Sequence, residues 1–389
     1  MPTGNILKVY IFQFLVSMHF IAGVLVPFFT DWGGISFTQT MILQAWFVGW
    51  IFLLEIPTGA VADHWGRKTS LALGAACVTV AVIVYVARPS FPTFLLGEFL
   101  WAMAAAFVSG ADEALIYDSL IAAGQEDRSK TALARLASCH TGAIMVSAPI
   151  GSLLGARFGL QIPVVAMAVP FALAFLVALT IQEPPVRRPA GEDYLETLRA
   201  GTRYFLRHKI LLALALDSVT VGTLCFMGVW LSQPHLLSLG LPIAWLGFLF
   251  SAMTGSQILV VNNFGRLEAL MGSRRGYLLA SALLASACYL LLPWTKSPAV
   301  GAALFVILSA FGLSRSILIS NYMNKHIPSA NRATVLSSVG MLRKLMATFL
   351  YPAVGLLSKW SLPGTLTILG AAIIVSCAFS QVKESHLPD

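Results

Sequence analysis

The chain has 389 residues, of which 57% are hydrophobic and 11% charged, with a mean hydropathy of +0.80. A water-soluble domain carries roughly 25% charged residues, so the composition excludes an ordinary soluble globule and points to a bilayer as solvent. The formal charge of +8 does not require nucleic acid, because its meaning depends on where the basic residues fall. Cys77, Cys139, Cys225, Cys288 and Cys377 are scattered singly through apolar sequence, without the spacing of metal sites or disulfide frameworks. They read as small core residues, with no metal or other cofactor implied.

In chain order, the apolar runs predict twelve transmembrane helices at about 9–29, 38–62, 70–88, 92–117, 136–157, 161–181, 210–233, 242–262, 276–294, 298–322, 335–357 and 363–381. Each is long enough to cross a hydrocarbon core. No small-residue cleavage site follows the first run, so it is expected to be a span rather than a signal peptide. Placing both termini in the cytoplasm puts most Lys and Arg inside. Only Arg88, Arg157, Lys296 and Lys359 then lie outside, the asymmetry expected of a multi-pass protein. Trp32, Trp230, Trp245, Trp294 and Trp360 fall near the outer ends of spans, as an interfacial belt would place them.

The stretch 182–209 separates six spans from six. It divides the chain into a first six-helix bundle, 1–181, a cytoplasmic linker, and a second bundle, 210–389. Within the linker Tyr194, Leu198 and Phe205 recur at helical spacing among Arg199, Arg203 and Arg207. A short helix on the anionic inner leaflet and a solvated connector are both consistent with that pattern. The halves read as repeats: Gly59 and Gly66 end span two as Gly265 and Gly272 end span eight, and Gly110-Ala-Asp-Glu113 in span four aligns with Gly312-Leu-Ser-Arg315 in span ten. Many transporters bind substrate where such repeats meet.

The inner end of span two reads Gly59-Ala-Val-Ala-Asp63-His-Trp-Gly66-Arg67-Lys68. Gly59 suits close helix approach, Gly66 a tight turn, and Asp63 the positive end of another helix. This pattern resembles the signature loop of the major facilitator superfamily, and the resemblance covers essentially the whole chain. It implies an all-α membrane fold of two pseudo-symmetric six-helix bundles. It further implies that Arg67 pairs with an acid ending the fourth helix, here Asp118, and that Asp63 braces the eleventh helix near Arg332, latching the cytoplasmic side. Positive-inside anchoring is the alternative role for Arg67 and Lys68.

Charges inside spans are expensive and usually functional. The family's cavity is lined by spans one, four, seven and ten, which nominates His19, Glu113, Asp217 and Arg315. Glu55 lies two turns from Asp63 on the same face, and Arg343 and Lys344 fall on neighbouring faces of span eleven. Glu113 and Arg315 occupy equivalent repeat positions. They are expected either to meet as a protonation-sensitive gate or to pair within their own halves, Glu113 with His140 or Arg135. Asp217 reads as a substrate or proton group, or as an acid neutralised by Lys209. Pro149, Gly151 and Gly155 suit a kinked span five packed against span eight. Glu98 stands where the family's drug exporters carry arginine, and the element around Pro149 only approximates theirs.

No nucleotide-binding loop, nucleophile elbow or zinc motif occurs, so neither an ATP-driven pump nor an enzyme is expected. The resulting expectation is a monomeric secondary transporter in a bacterial inner membrane, driven by an ion gradient and preferably by protons. The sequence favours export of a small neutral or cationic amphiphile by antiport. Proton-coupled uptake of a polar metabolite or metal chelate by symport is the alternative, with Arg315 and Arg343 holding carboxylates. A receptor or scaffold keeping the fold without transport is the rival of another class.

Overall fold

The computed structural model describes residues 2–184, 202–328 and 332–387, and among these the chain is helical without strands. Among the described residues, eleven helices are long and apolar enough to cross a membrane. The remaining expected span, 335–357, is the 29-residue helix Arg332–Trp360. Arg343 and Lys344 near its middle lower its hydropathy, and it is not among the eleven.

The chain forms two compact units. The first comprises Met1–Arg188 with Pro242–Ser251, the second Pro189–Leu241 with Ala252–Asp389. The first contains α1 (Pro2–Val16), α2 (Phe37–Trp65), α3 (Arg67–Ala87), α4 (Phe91–Val108), α5 (Ala111–Ala122), α6 (Ser129–Phe158) and α7 (Gln161–Thr180). The second contains α8 (Lys209–Ser238), most of α9 (Leu246–Asn262), α10 (Phe264–Met271), α11 (Arg274–Leu291), α12 (Pro298–His326), α13 (Arg332–Trp360) and α14 (Leu362–Phe379).

Two predicted spans are interrupted. The fourth changes direction between α4 and α5 at Gly110, whose φ of +76° lies in the left-handed region open to glycine. The first leaves the α-helix after Val16, turns as a 3-10 helix at Phe20–Gly23, and continues through one α-turn and a π-helical turn, Phe28–Trp32. At this break, backbone N–H groups reach only two residues back, His19 to the Ser17 carbonyl at 2.8 Å and Phe20 to Met18 at 3.2 Å. Irregular backbone at membrane depth occurs where it is buried in protein or lines a cavity.

The break packs on α6 through glycine. A Cβ on Gly151 would lie 1.7 Å from the Phe20 carbonyl oxygen. A Cβ on Gly155 would meet Pro163 at 3.4 Å and Val24 at 3.6 Å, so both glycines of the predicted span five face the first and sixth spans rather than the eighth. The start of the eighth nevertheless lies against α6. A Cβ on Gly247 would come 2.1 Å from the Ala148 carbonyl, Ser152 Oγ donates to the Ala244 carbonyl at 2.8 Å, and Ser251 Oγ donates to that of Met145 at 2.7 Å. Pro149 stands inside α6, where it cannot donate to the helix ladder.

An aromatic core of Phe28, Phe29, Tyr85, Phe94 and Phe171 fills one end of the first unit. Trp245, Trp294 and Trp360 are strongly exposed, but Trp230 is buried against Tyr351, with ring centroids 5.8 Å apart. Trp230 is therefore a core residue rather than part of the belt. Tyr194, Leu198 and Arg199 lie outside the described residues; Phe205 is buried in the core of the second unit with Leu211, Leu214 and Val335, so it does not lie on a leaflet.

Candidate functional site

Three polar constellations stand out, each inside one unit. The first surrounds the loop between α2 and α3. Gly66, at φ +92°, makes the turn that only glycine adopts readily, and Arg67 opens α3. The Arg67 guanidinium pairs with the Asp118 carboxylate near the end of α5 and also donates to the Ala114 carbonyl. The backbone N–H groups of Arg67 and Lys68 donate to the two carboxylate oxygens of Glu183, at 2.8 and 2.9 Å. Glu183 thus caps the positive amino end of α3. Asp63 is exposed and Glu55 half-buried on α2. Among the described residues nothing lies within 4 Å of a Cβ built on Gly59.

The second unit repeats the cap, with its basic pair one place further from the glycine. Backbone N–H groups of Arg274 and Arg275 donate to the carboxylate of Glu384, at 2.9 and 2.8 Å, after Gly272 has turned the chain at φ +68°. Glu268, shifted one place from the position equivalent to Asp63, accepts from the Tyr322 hydroxyl. Neither Glu183 nor Glu384 stands out in the sequence, since each follows an apolar run as an ordinary loop acid. The signal was positional: both come just after the last helix of a half.

The second constellation is a buried ion pair in the second unit. Arg315 Nη2 on α12 donates to Asp217 Oδ2 on α8 at 2.6 Å, and the side chains are 2% and 7% exposed. Ser380 donates to the other Asp217 oxygen at 2.9 Å. Arg315 also donates to the Leu278 carbonyl and to Ser281 Oγ. Burial removes water's competition and leaves the charges dependent on each other. Arg315 is thus paired within its own half, the second of the two arrangements expected for it, and Asp217 is neutralised by Arg315 rather than by Lys209. Glu113 is exposed and makes no ion pair among the described residues, either with His140 or with Arg135. Arg343 is likewise exposed.

The third lies where α1 breaks. Gln13 Nε2 donates to Ser17 Oγ at 3.3 Å and also lies 3.3 Å from His140 Nδ1 on α6. Ser17 Oγ is 2.8 Å from the same nitrogen. Gln13 and Ser17 are buried, whereas His140 is exposed. His19 sits two residues beyond Ser17, with its ring edge-on to Trp101 at 5.5 Å and to Phe171 at 6.1 Å. Sequence reading singled out His19 and placed His140 only as a partner for Glu113; Gln13 and Ser17 carried no charge to mark them. Glu98, on α4, is buried and accepts from Gln44 Nε2 at 3.0 Å, within the helix bundle of its own unit.

No curated protein matches the chain. Its fold is similar to solved structures throughout its length: the nucleoside transporter NupG, 15% identical, over 97% of this chain and 100% of that one with a TM-score of 0.81; a POT family transporter bound to 5-aminolevulinic acid, 14% identical, over 99% and 96% with 0.73; and a D-xylose-proton symporter, 12% identical, over 99% and 98% with 0.72. The family model of the Major Facilitator Superfamily matches residues 9–351. With two units closed by the same carboxylate cap and the signature loop turned at Gly66, the chain belongs to the major facilitator superfamily.

Proposed function

We propose that this protein is a proton-coupled secondary transporter of a small neutral polar solute, acting in the bacterial inner membrane as a symporter. The observation that carries the choice of a neutral solute is the Asp217–Arg315 pair. Of the two arginines nominated to hold a substrate carboxylate, Arg315 is buried and already neutralised, so that breaking its pair would leave an uncompensated charge in the membrane, and Arg343 is exposed on a different helix. Coupling to protons is supported by Glu113 and His140, titratable groups exposed on transmembrane helices without an ion pair among the described residues. The latch formed by Arg67 and Asp118, and braced by Asp63, is the element whose release would accompany access from the cytoplasm. Uptake is supported by the fold-level likeness to a D-xylose-proton symporter and a nucleoside transporter, whose cargoes are neutral and hydroxylated. Export of an amphiphile is the second reading. It is favoured by the aromatic cluster around His19, whose ring stands edge-on to Trp101 and Phe171.

The test is reconstitution into liposomes loaded with a pH-sensitive dye, with D-xylose or uridine supplied outside. Symport acidifies the lumen, antiport makes it alkaline, and a receptor without transport leaves it unchanged. Because coupling is thermodynamic, the sign does not depend on which way the protein inserts. An unchanged lumen with both solutes would overturn the proposal.

A further inference from the structure

The cluster at the break in α1 contains a polar atom with no partner. Gln13 is 8% exposed and its Oε1 is buried without a hydrogen bond. Turning the amide over does not cure this, because the nitrogen then loses its bonds and becomes the orphan. A buried polar group left unmatched costs about 1–3 kcal/mol, and the chain keeps one where α1 stops being a helix. The neighbouring contacts also specify a tautomer. With Gln13 Nε2 donating to Ser17 Oγ, the serine hydroxyl is left to donate to His140 Nδ1. A neutral ring then carries its proton on Nε2, which makes no hydrogen bond among the described residues. One orphan acceptor on α1 and one unengaged donor on α6 therefore belong to two side chains in hydrogen-bond contact.

From this geometry we infer that Gln13, Ser17 and His140 form a ligand subsite within the first unit for a neutral hydroxylated solute, with Gln13 Oε1 accepting from one hydroxyl and His140 Nε2–H donating to another. A hydroxyl serves as donor and acceptor alike, so a vicinal diol satisfies both groups without adding charge to the membrane. An exposed histidine on a transmembrane helix faces a polar space rather than lipid, and interrupted helices are where transporters place their binding groups. This inference rests on the neutral-solute reading given above.

The test uses the full chain, purified, with D-xylose and uridine as probes, both of which carry a vicinal diol, and with their deoxygenated analogues as controls. Wild-type protein is expected to be thermally stabilised by at least one probe. Gln13→Leu and His140→Phe should each weaken its binding about tenfold or more, whereas His140→Gln, which keeps a donor, should lose less. The analogue lacking one hydroxyl should bind worse to wild type but equally to Gln13→Leu or His140→Phe. Unchanged affinity in folded Gln13→Leu and His140→Phe would overturn the subsite while leaving solute transport standing, since a water would then suffice for the amide. No stabilisation of wild type by either probe would overturn the subsite together with the neutral-solute reading.

Discussion

Asp217 and Arg315 are each nearly sealed from solvent, and among the described residues each carries a charge that the other alone balances. Replacing Asp217 with asparagine keeps the shape but strands the guanidinium, and the expected loss of stability is about 3–5 kcal/mol. Asp217→Leu combined with Arg315→Met should recover most of it, because removing both charges also removes the cost of burying either. Thermal unfolding of the purified variants checks both statements, and a double variant no better than the single would contradict them. That each of these residues matters was legible from sequence, since charge in an apolar run is conspicuous. Their pairing was not, because partners in different helices are 98 positions apart and only three-dimensional packing decides between Glu113, Lys209 and each other. Gln13 and Ser17 were harder still, being uncharged residues in a helix that gives no sequence sign of stopping.

The elements separate two kinds of glycine that look alike in sequence. Gly151 presses α6 onto the Phe20 carbonyl, with 1.7 Å between that oxygen and a Cβ added there, so Gly151→Ala must push the broken first span away. The expected cost is roughly 1–3 kcal/mol, as in other overpacked sites. Gly59, inside α2 and with nothing near its Cβ position, should behave oppositely: alanine there relieves the conformational cost of glycine in a helix, about 0.5–1 kcal/mol. Comparing melting temperatures of Gly151→Ala and Gly59→Ala tests the contrast, and equal effects would refute it. Span positions were readable because twenty apolar residues admit few other structures in lipid. The interruptions after Val16 and at Gly110 were not, since hydropathy averages over them and only backbone hydrogen bonding reveals where the ladder stops.

At the scale of the whole molecule, the distribution of Lys and Arg argues that both termini are cytoplasmic. A green fluorescent protein fused after Asp389 should then fluoresce in a bacterial host, and alkaline phosphatase fused at Lys296 or Lys359 should be active. Phosphatase activity from a fusion at Asp389 would reverse the topology. The repeat was visible from Gly59, Gly66, Gly265 and Gly272, yet its most regular feature was not. Glu183 and Glu384 hold the amino ends of α3 and α11 in the same way, although their flanking residues differ. The function was legible only as a class, because the residues that carry the family resemblance identify the fold and not the cargo.

Those two acids have a consequence for how each half endures. The tail of each bundle is pinned to its own middle, so trimming the chain back past Glu183 or Glu384 uncaps the helix that opens the third span of that half.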